Sequence, residues 1–186
     1  DAGLPVHRYS AGADHVSFQQ DKASCTALDD QQLIWFRRYE CMDKINRDEM
    51  KPLERAAAIA KGETVDRLPC NPNIANGVAR IYGCRISEFN HDAKTLAAAQ
   101  IAAYRMFGYD SVRIFTDLFT WSEAMGAKVI CPDDDTADLA SPAVKRVEDI
   151  KYIEPADPYR DGRLPVHLEA MKYLVDEVGG EVGCSG

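Results

Sequence analysis

The 186-residue sequence has no long hydrophobic run, no excess of positive charge and no cysteine pair with metal-binding spacing. No apolar stretch approaches the ~18 residues that a membrane-spanning helix needs. The sequence also does not begin with a charged region followed by an apolar one, which is the pattern of a signal peptide. The net charge of −8 disfavours nucleic acid as a partner, because proteins that bind its phosphates usually carry a basic face. These absences predict a soluble globular protein whose partner is neither nucleic acid nor membrane.

The six cysteines do not form a recognisable framework. No two are separated as C-x-x-C, and no His-x-Cys pair occurs. A secreted disulfide scaffold is shorter and denser in cysteine. We therefore expect free, mostly buried thiols in a reducing cytoplasm and no metal site built from this chain alone.

The composition changes near residue 48. Residues 1–48 mix Gly, Ser, Asp and Gln without a sustained period, apart from a short helical pattern at 31–42. We predict that residues 1–48 are an extension, poorly ordered or a short helix, and that residues 49–186 form the folded domain.

Three helical patterns stand out after residue 48. The segment 49–63 is rich in alanine, places Leu53, Ala56, Ala57 and Ala60 on one face, and ends at Gly62. A second helix is predicted at 93–107, and a third spans 164–178 with its apolar residues on one face. Both of the longer helices are followed by glycine, as expected of helix ends.

Extended segments follow these helices in turn, at 66–74, 111–117 and 181–185, with a further short strand at 127–131. Strands that alternate with helices of this length are typical of right-handed βαβ units and a parallel sheet. The last strand has no helix after it, although a parallel sheet needs cover on both faces. We therefore expect an α/β fold that is incomplete, as part of a longer protein or one half of a split one.

Polar side chains follow each predicted parallel strand, where α/β proteins gather their functional groups. The candidates are Asn71 and Asn73, then Asp117, then Cys184 and Ser185. Asp117 either caps the helix that follows it or serves as an active-site carboxylate, and its position leaves both open. The asparagines also suit a turn, and Cys184 also suits a packed thiol.

Three segments resemble the first half of the uroporphyrinogen decarboxylase superfamily: "LERAAAIAKGETVDRLPCNP", "YDSVRIFTDLFTWSEAMGAKV" and "DPYRDGRLPVHLEAMKYLVDEVGGEVGCSG". The likeness runs from about residue 50 to residue 186. It implies a (β/α)8 TIM barrel of about twice this length, of which this chain is the N-terminal part. The superfamily contains porphyrinogen decarboxylases and corrinoid-dependent methyltransferases of the methylcobamide:coenzyme M type.

The decarboxylase branch carries two arginines soon after its Asp-Arg-x-Pro motif, and these hold the substrate carboxylates. Here the motif is 66–69, and the segment after it contains asparagines and only Arg80 before Arg85. Because a polycarboxylate substrate needs fixed cationic groups, the methyltransferase branch is the closer match. The alternatives are a decarboxylase-like enzyme of porphyrin biosynthesis, or an inactive half-barrel that needs a partner or a second copy.

The resemblance also implies the site and its cofactors. Asp117 matches the aspartate of the family segment D-L/I-x-x-x-x-E-A-x-G, which in the decarboxylase faces pyrrole N–H groups and which implies a place in the barrel mouth. The methyltransferases use zinc to activate an acceptor thiol and take the methyl group from a corrinoid on a partner protein. The family's zinc ligands, a His-x-Cys and a later Cys, have no counterpart on this chain.

Overall fold

The computed structural model describes residues 48–186, so the prediction for the extension 1–48 lies almost wholly outside the described residues. The division near residue 48 stays a prediction. The helices are α1 (Pro52–Lys61), α2 (Gly77–Tyr82), α3 (Ile86–His91), α4 (Ala93–Phe107), α5 (Thr120–Ala124) and α6 (Leu164–Val178), with a 3-10 helix at Val147–Tyr152. The strands are β1 (Ser111–Arg113), β2 (Lys128–Ile130), β3 (Asp138–Ser141) and β4 (Gly183–Ser185).

The three predicted helices are confirmed as α1, α4 and α6, and local chemistry explains their ends. At the start of α4, Asp92 Oδ1 accepts a hydrogen bond of 2.7 Å from the backbone N–H of Thr95. At its end, Gly108 adopts a left-handed conformation with φ +63°, which glycine adopts without steric cost. Gly62 ends α1 in the same way.

The predicted apolar face of α1 is wrong. The buried residues of α1 are Arg55 and Ala58, whereas Leu53 and Ala60 are exposed. The reason is an ion cluster below the sheet: the guanidinium of Arg55 is fully buried because two carboxylates accept its hydrogen bonds. Paired charge therefore decided which side of this helix turned inward.

The parallel pairing is confirmed between the two predicted strands at 111–117 and 181–185, which appear as the shorter β1 and β4. Ser111, Val112 and Arg113 lie opposite Gly183, Cys184 and Ser185. One further bond, of 2.8 Å, runs from the Ile114 N–H to the Ser185 carbonyl and extends the ladder.

The rest of the predicted sheet differs. Residues 66–74 form no regular strand, although the Asp110 N–H donates to the Cys70 carbonyl at 2.8 Å. Pro69 and Pro72 explain the irregularity, since proline has no N–H to give to a ladder. The predicted strand near 127–131 is β2, and it pairs antiparallel with β3, a strand that the sequence pattern did not predict.

The core lies between one face of the β1–β4 pair and the helices α4 and α6. Leu96 and Ala103 of α4, Val112 of β1, and Leu174 and Val178 of α6 are fully buried in it. The alternation along β1 sends Arg113 to the opposite, exposed side. Because β1 packs against this core, the position at which the chain leaves the carboxyl end of the strand is well defined.

Candidate active site

The site lies at the carboxyl end of β1, where Thr116 and Asp117 are buried just after the strand. Asp117 Oδ1 accepts a hydrogen bond of 2.8 Å from the N–H of Phe119. Phe119, not Asp117, is the residue at the N-cap of α5. Asp117 therefore closes a turn in front of the helix, which is close to the predicted capping role but two residues before the N-cap position.

The partner of Asp117 is Arg163, which immediately precedes α6. Its Nη1 donates to Asp117 Oδ2 at 2.5 Å, and its Nη2 donates to Asp117 Oδ1 at 3.2 Å. Its Nε donates to Glu123 Oε2, in α5, at 2.6 Å. The side chains of Arg163 and Asp117 are 3% and 1% exposed. One buried guanidinium thus binds two carboxylates from the segment after β1.

Sequence reasoning missed Arg163. The signal that could have found it is physical: a buried carboxylate needs a cation, and "DGRLP" places one arginine directly before a helix. Gly162 adds to the signal. It has φ +55°, and a Cβ at this position would lie 2.9 Å from the backbone nitrogen of Ala124. Only glycine permits this close approach of the two segments.

The pKa values show what the pair can do. Burial alone would raise the pKa of Asp117, but the hydrogen bonds from Arg163 and Phe119 outweigh it, so this pKa lies below its usual value. Burial alone would lower the pKa of Arg163, but the hydrogen bonds to Asp117 and Glu123 outweigh it, so this pKa lies above its usual value. Both groups are therefore charged at neutral pH. Asp117 is a fixed anion in this arrangement, not a proton donor.

His167, in the first turn of α6, is the titratable neighbour of this pair. Its Nε2 lies 3.1 Å from Thr116 Oγ1, which in turn lies 3.2 Å from Thr120 Oγ1. Burial lowers the pKa of His167, and the positive charge of Arg163 lowers it further. The imidazole is therefore neutral at pH 7, and its hydrogen bond ties α6 to the end of β1.

Cys131 follows β2 beside the same cluster. Burial raises the pKa of its thiol, and the carboxylates of Glu123 and Asp117 act in the same direction against the field of Arg163. The thiol is therefore protonated at neutral pH. A protonated thiol is a weak nucleophile, so this cysteine has no activated form in the described structure.

The other predicted site residues are not hydrogen-bond partners of Asp117. Asn71 and Asn73 are exposed on the irregular segment after Cys70. Within residues 48–186, no hydrogen bond joins Asp117 to either asparagine, to Cys184 or to Ser185. Their role in substrate binding stays a prediction.

Cys184 and Ser185 point to opposite faces of the sheet. The Cys184 side chain packs against the core beside Val112, its Sγ donates to the Val182 carbonyl at 3.6 Å, and burial raises its pKa. Ser185 Oγ accepts a long hydrogen bond of 3.4 Å from Arg113 Nε. Of this predicted pair, Ser185 lies on the exposed face and Cys184 on the helix side.

A second ion cluster occupies the opposite, amino end of β1 and contains the Asp-Arg-x-Pro motif. Arg55 donates through Nε and Nη2 to both oxygens of Asp66, each at 2.7 Å, and also binds Asp110. Arg67 Nη1 donates to Asp110 Oδ2 at 2.5 Å, and the Cys70 N–H donates to the same oxygen at 2.7 Å. The motif therefore anchors the chain below the sheet, far along β1 from Asp117.

A zinc ion does not fit the described residues. Among residues 48–186, no three His, Cys, Asp or Glu side chains are grouped so that they could hold a metal ion. In the same part of the chain, no helix is both long enough and apolar enough to cross a membrane.

Comparison with known proteins places these features in a family. The family model for uroporphyrinogen decarboxylase (URO-D) matches residues 51–186. Two curated proteins, each named Methylcobamide:CoM methyltransferase MtaA and both from Methanosarcina barkeri, one of them from strain Fusaro / DSM 804, are 28% identical over 137 residues. The match covers 71% of this chain and 40% of each relative.

A solved structure gives the same result. The chain is similar to a methyltransferase from Methanosarcina mazei, with a TM-score of 0.61 and 27% identity over 74% of this chain. That match covers 42% of the solved chain. The sequence thus spans less than half the length of the relatives that it matches.

Proposed function

The chain belongs to the uroporphyrinogen decarboxylase (URO-D) family, and from this premise we propose that it is the N-terminal barrel part of a methyltransferase. The proposed reaction moves a methyl group between a corrinoid protein and a thiol or a similar acceptor. The names of the relatives support a methyltransferase, since two are methylcobamide:CoM methyltransferases and the similar structure is a methyltransferase. We propose that it acts in the cytoplasm.

The observation that carries the proposal is that the carboxylate of Asp117 already accepts hydrogen bonds from Arg163 and from the Phe119 N–H. In the decarboxylase branch, the family resemblance assigns this aspartate to pyrrole N–H groups of the substrate. A carboxylate has about four lone-pair sites, and Arg163 and the Phe119 N–H already take three of those on Asp117. With its side chain 1% exposed, Asp117 is a poor acceptor for a porphyrinogen. The asparagines that replace the paired arginines point the same way.

In this proposal, the residues of this chain bind and orient rather than transfer protons. Asp117 remains the proposed active-site carboxylate and acts as a fixed negative charge at the barrel mouth. Asn71, Asn73 and Ser185 present amide and hydroxyl groups that can bind a polar substrate, and Cys184 packs against the core and so supports β4. The zinc ion that the family resemblance implies would be held outside residues 48–186, so no step is assigned to it.

The test uses the full natural polypeptide that contains this chain, under anaerobic conditions. It is incubated with methylcobalamin and 2-mercaptoethanesulfonate, and the methylated thiol is measured by mass spectrometry. A parallel sample receives uroporphyrinogen, and chromatography follows the loss of carboxyl groups. We expect thiol methylation and no decarboxylation, and the reverse result would replace this proposal with the decarboxylase.

The 186-residue chain alone is the control for the half-barrel hypothesis. We expect it to methylate no thiol, because part of the machinery would lie outside it. Turnover by the isolated chain equal to that of the full polypeptide would contradict this expectation. Size-exclusion chromatography of the isolated chain would show whether it pairs with a second copy.

A further inference from the structure

We propose that Arg163 is a positioning residue: it fixes the segment after β1 to the segment before α6 and so holds Asp117 in place at the barrel mouth. The kinetic part of its test rests on the proposed methyltransferase function. The structural part does not.

The contacts of Arg163 join segments that are distant in sequence. Its two bonds to Asp117 span 46 residues, and its bond to Glu123 spans 40 residues. Asp117 lies before α5 and Glu123 within it, so the guanidinium grips both sides of the turn that begins this helix. No single-point contact could fix both the position and the direction of that turn.

A second contact between the same segments supports the proposal independently. The turn 157–161 is closed by its own bonds, one of which runs from the Asp157 N–H to Asp161 Oδ2 at 2.8 Å. Gly162 then approaches the backbone of Ala124 so closely that a Cβ would meet Ala124 N at 2.9 Å. The backbone contact at Gly162 thus places Arg163 next to α5 independently of the hydrogen bonds that its side chain makes.

The chemistry requires arginine. Three N–H groups in one rigid plane reach three oxygens, and a lysine ammonium on a flexible stem cannot reproduce that geometry although it keeps the charge. Arg163 and Asp117 are almost completely buried, so water screens their attraction little, whereas the Glu123 side chain is 25% exposed. We therefore expect the Asp117 arm to dominate and the Glu123 arm to contribute less.

Arg55 provides a matched control. It is also a buried arginine that binds one aspartate through two nitrogens and a second carboxylate through another contact, but it lies at the amino end of β1. Arg163→Lys and Arg55→Lys make the same chemical change at opposite ends of one strand. A merely structural role would give both variants similar losses of activity once they are compared at equal folded fraction.

The experiment measures kcat and KM for methyl transfer by the full polypeptide, with amide hydrogen exchange on the same samples. In Arg163→Lys we expect kcat at least about tenfold below that of Arg55→Lys, because misplacing a group by about 1 Å can cost a hundredfold in rate. We also expect faster exchange of the Phe119 amide and of segments 117–126 and 157–163. Arg55→Lys should speed exchange near residues 55–70 instead.

Two results would overturn the proposal. One is an equal fall of kcat in the two lysine variants, and the other is unchanged exchange at 117–126 in Arg163→Lys. Should Arg163→Lys fail to fold, Glu123→Gln replaces it, with an expected fall in kcat of about twofold to fivefold, in keeping with a partly exposed ion pair, and faster exchange in α5. The proposal would be rejected if Glu123→Gln left both kcat and the exchange rates in α5 unchanged. If the wild type transfers no methyl group, the proposed function fails, and hydrogen exchange alone decides the role of Arg163.

Discussion

Two substitutions of Asp117 distinguish the stability contributed by its ion pair with Arg163 from that contributed by its hydrogen bond with the Phe119 N–H. Asp117→Asn keeps an oxygen that can accept from the Phe119 N–H but removes the charge opposite Arg163. Breaking a buried ion pair costs about 3–5 kcal/mol, and we expect the lower end because Glu123 still binds Arg163. Asp117→Ala also removes the turn acceptor, which adds about 1 kcal/mol.

Urea unfolding, followed by circular dichroism, measures these losses as a lower midpoint at constant slope. In a thermal scan, a loss of 1 kcal/mol shifts Tm by roughly 2–4 °C for a domain of this size, so Asp117→Asn should lower Tm by roughly 6–12 °C. Asp133→Asn is the control, since Asp133 and its partner Arg85 are largely exposed, and it should cost at most about 1 kcal/mol.

A loss below about 1 kcal/mol for Asp117→Asn, with a further loss in Asp117→Ala, would refute the reasoning and leave only a turn residue. In the active polypeptide, Asp117→Ala should also lower turnover by at least about tenfold, or about 1.4 kcal/mol of barrier. Unchanged turnover with a lower Tm would remove Asp117 from the proposed active site and leave it a structural role only.

The pH dependence follows from the lowered pKa of Asp117. A carboxyl group whose pKa is lower in the folded state contributes stability that is present above its unfolded value of about 3.9 and is lost as pH falls through the folded value. The difference in unfolding free energy between wild type and Asp117→Asn should therefore stay constant from about pH 5 to 8 and shrink below about pH 4. A difference that grows in acid would contradict the ion pair.

Three further predictions use other parts of the structure. Gly162→Ala should lower Tm more than Gly62→Ala, because both need positive φ but only Gly162 would bring a Cβ against Ala124; equal shifts would contradict the close approach. His167 should titrate below its ordinary pKa of about 6.5 in an NMR experiment, since burial and Arg163 disfavour the imidazolium; stability from this group is present above that value and is lost as pH falls below it, and a higher midpoint would contradict the prediction. Asn90 is buried with neither side-chain polar atom hydrogen-bonded within the described residues, so Asn90→Leu should raise the unfolding free energy by about 1–2 kcal/mol in urea; a loss would show that the amide has a partner.

The helices were predictable because their signals are local. The acceptor at Asp92, the glycines at 62 and 108 and the spacing of apolar residues in α4 and α6 each act within a few residues of the chain. The parallel partners β1 and β4 followed from the same alternation of helix and strand. The irregular course of 66–74 was also visible in its prolines, although not strongly enough to exclude a strand.

The ion clusters were not predictable in the same way. The side of α1 that carries Arg55 faces inward because Asp66 and Asp110 accept hydrogen bonds from its guanidinium. Those carboxylates lie 11 and 55 residues away in sequence. The apolar pattern of one helix contains no information about such partners. The same limit kept Arg163 out of the predicted site, while Cys184 entered it on strand position alone.

The sequence by itself determined the long helices α1, α4 and α6, the parallel pair β1 and β4, the family and the place of Asp117 after a buried strand, because periodicity, turn residues and motifs are properties of neighbouring positions. Only the tertiary structure decided that Asp117 is a paired anion, that Cys184 faces the helices and that Arg163 joins two distant segments. The electrostatic state of a buried group depends on charges brought near it through space, and folding chooses those neighbours from anywhere along the chain.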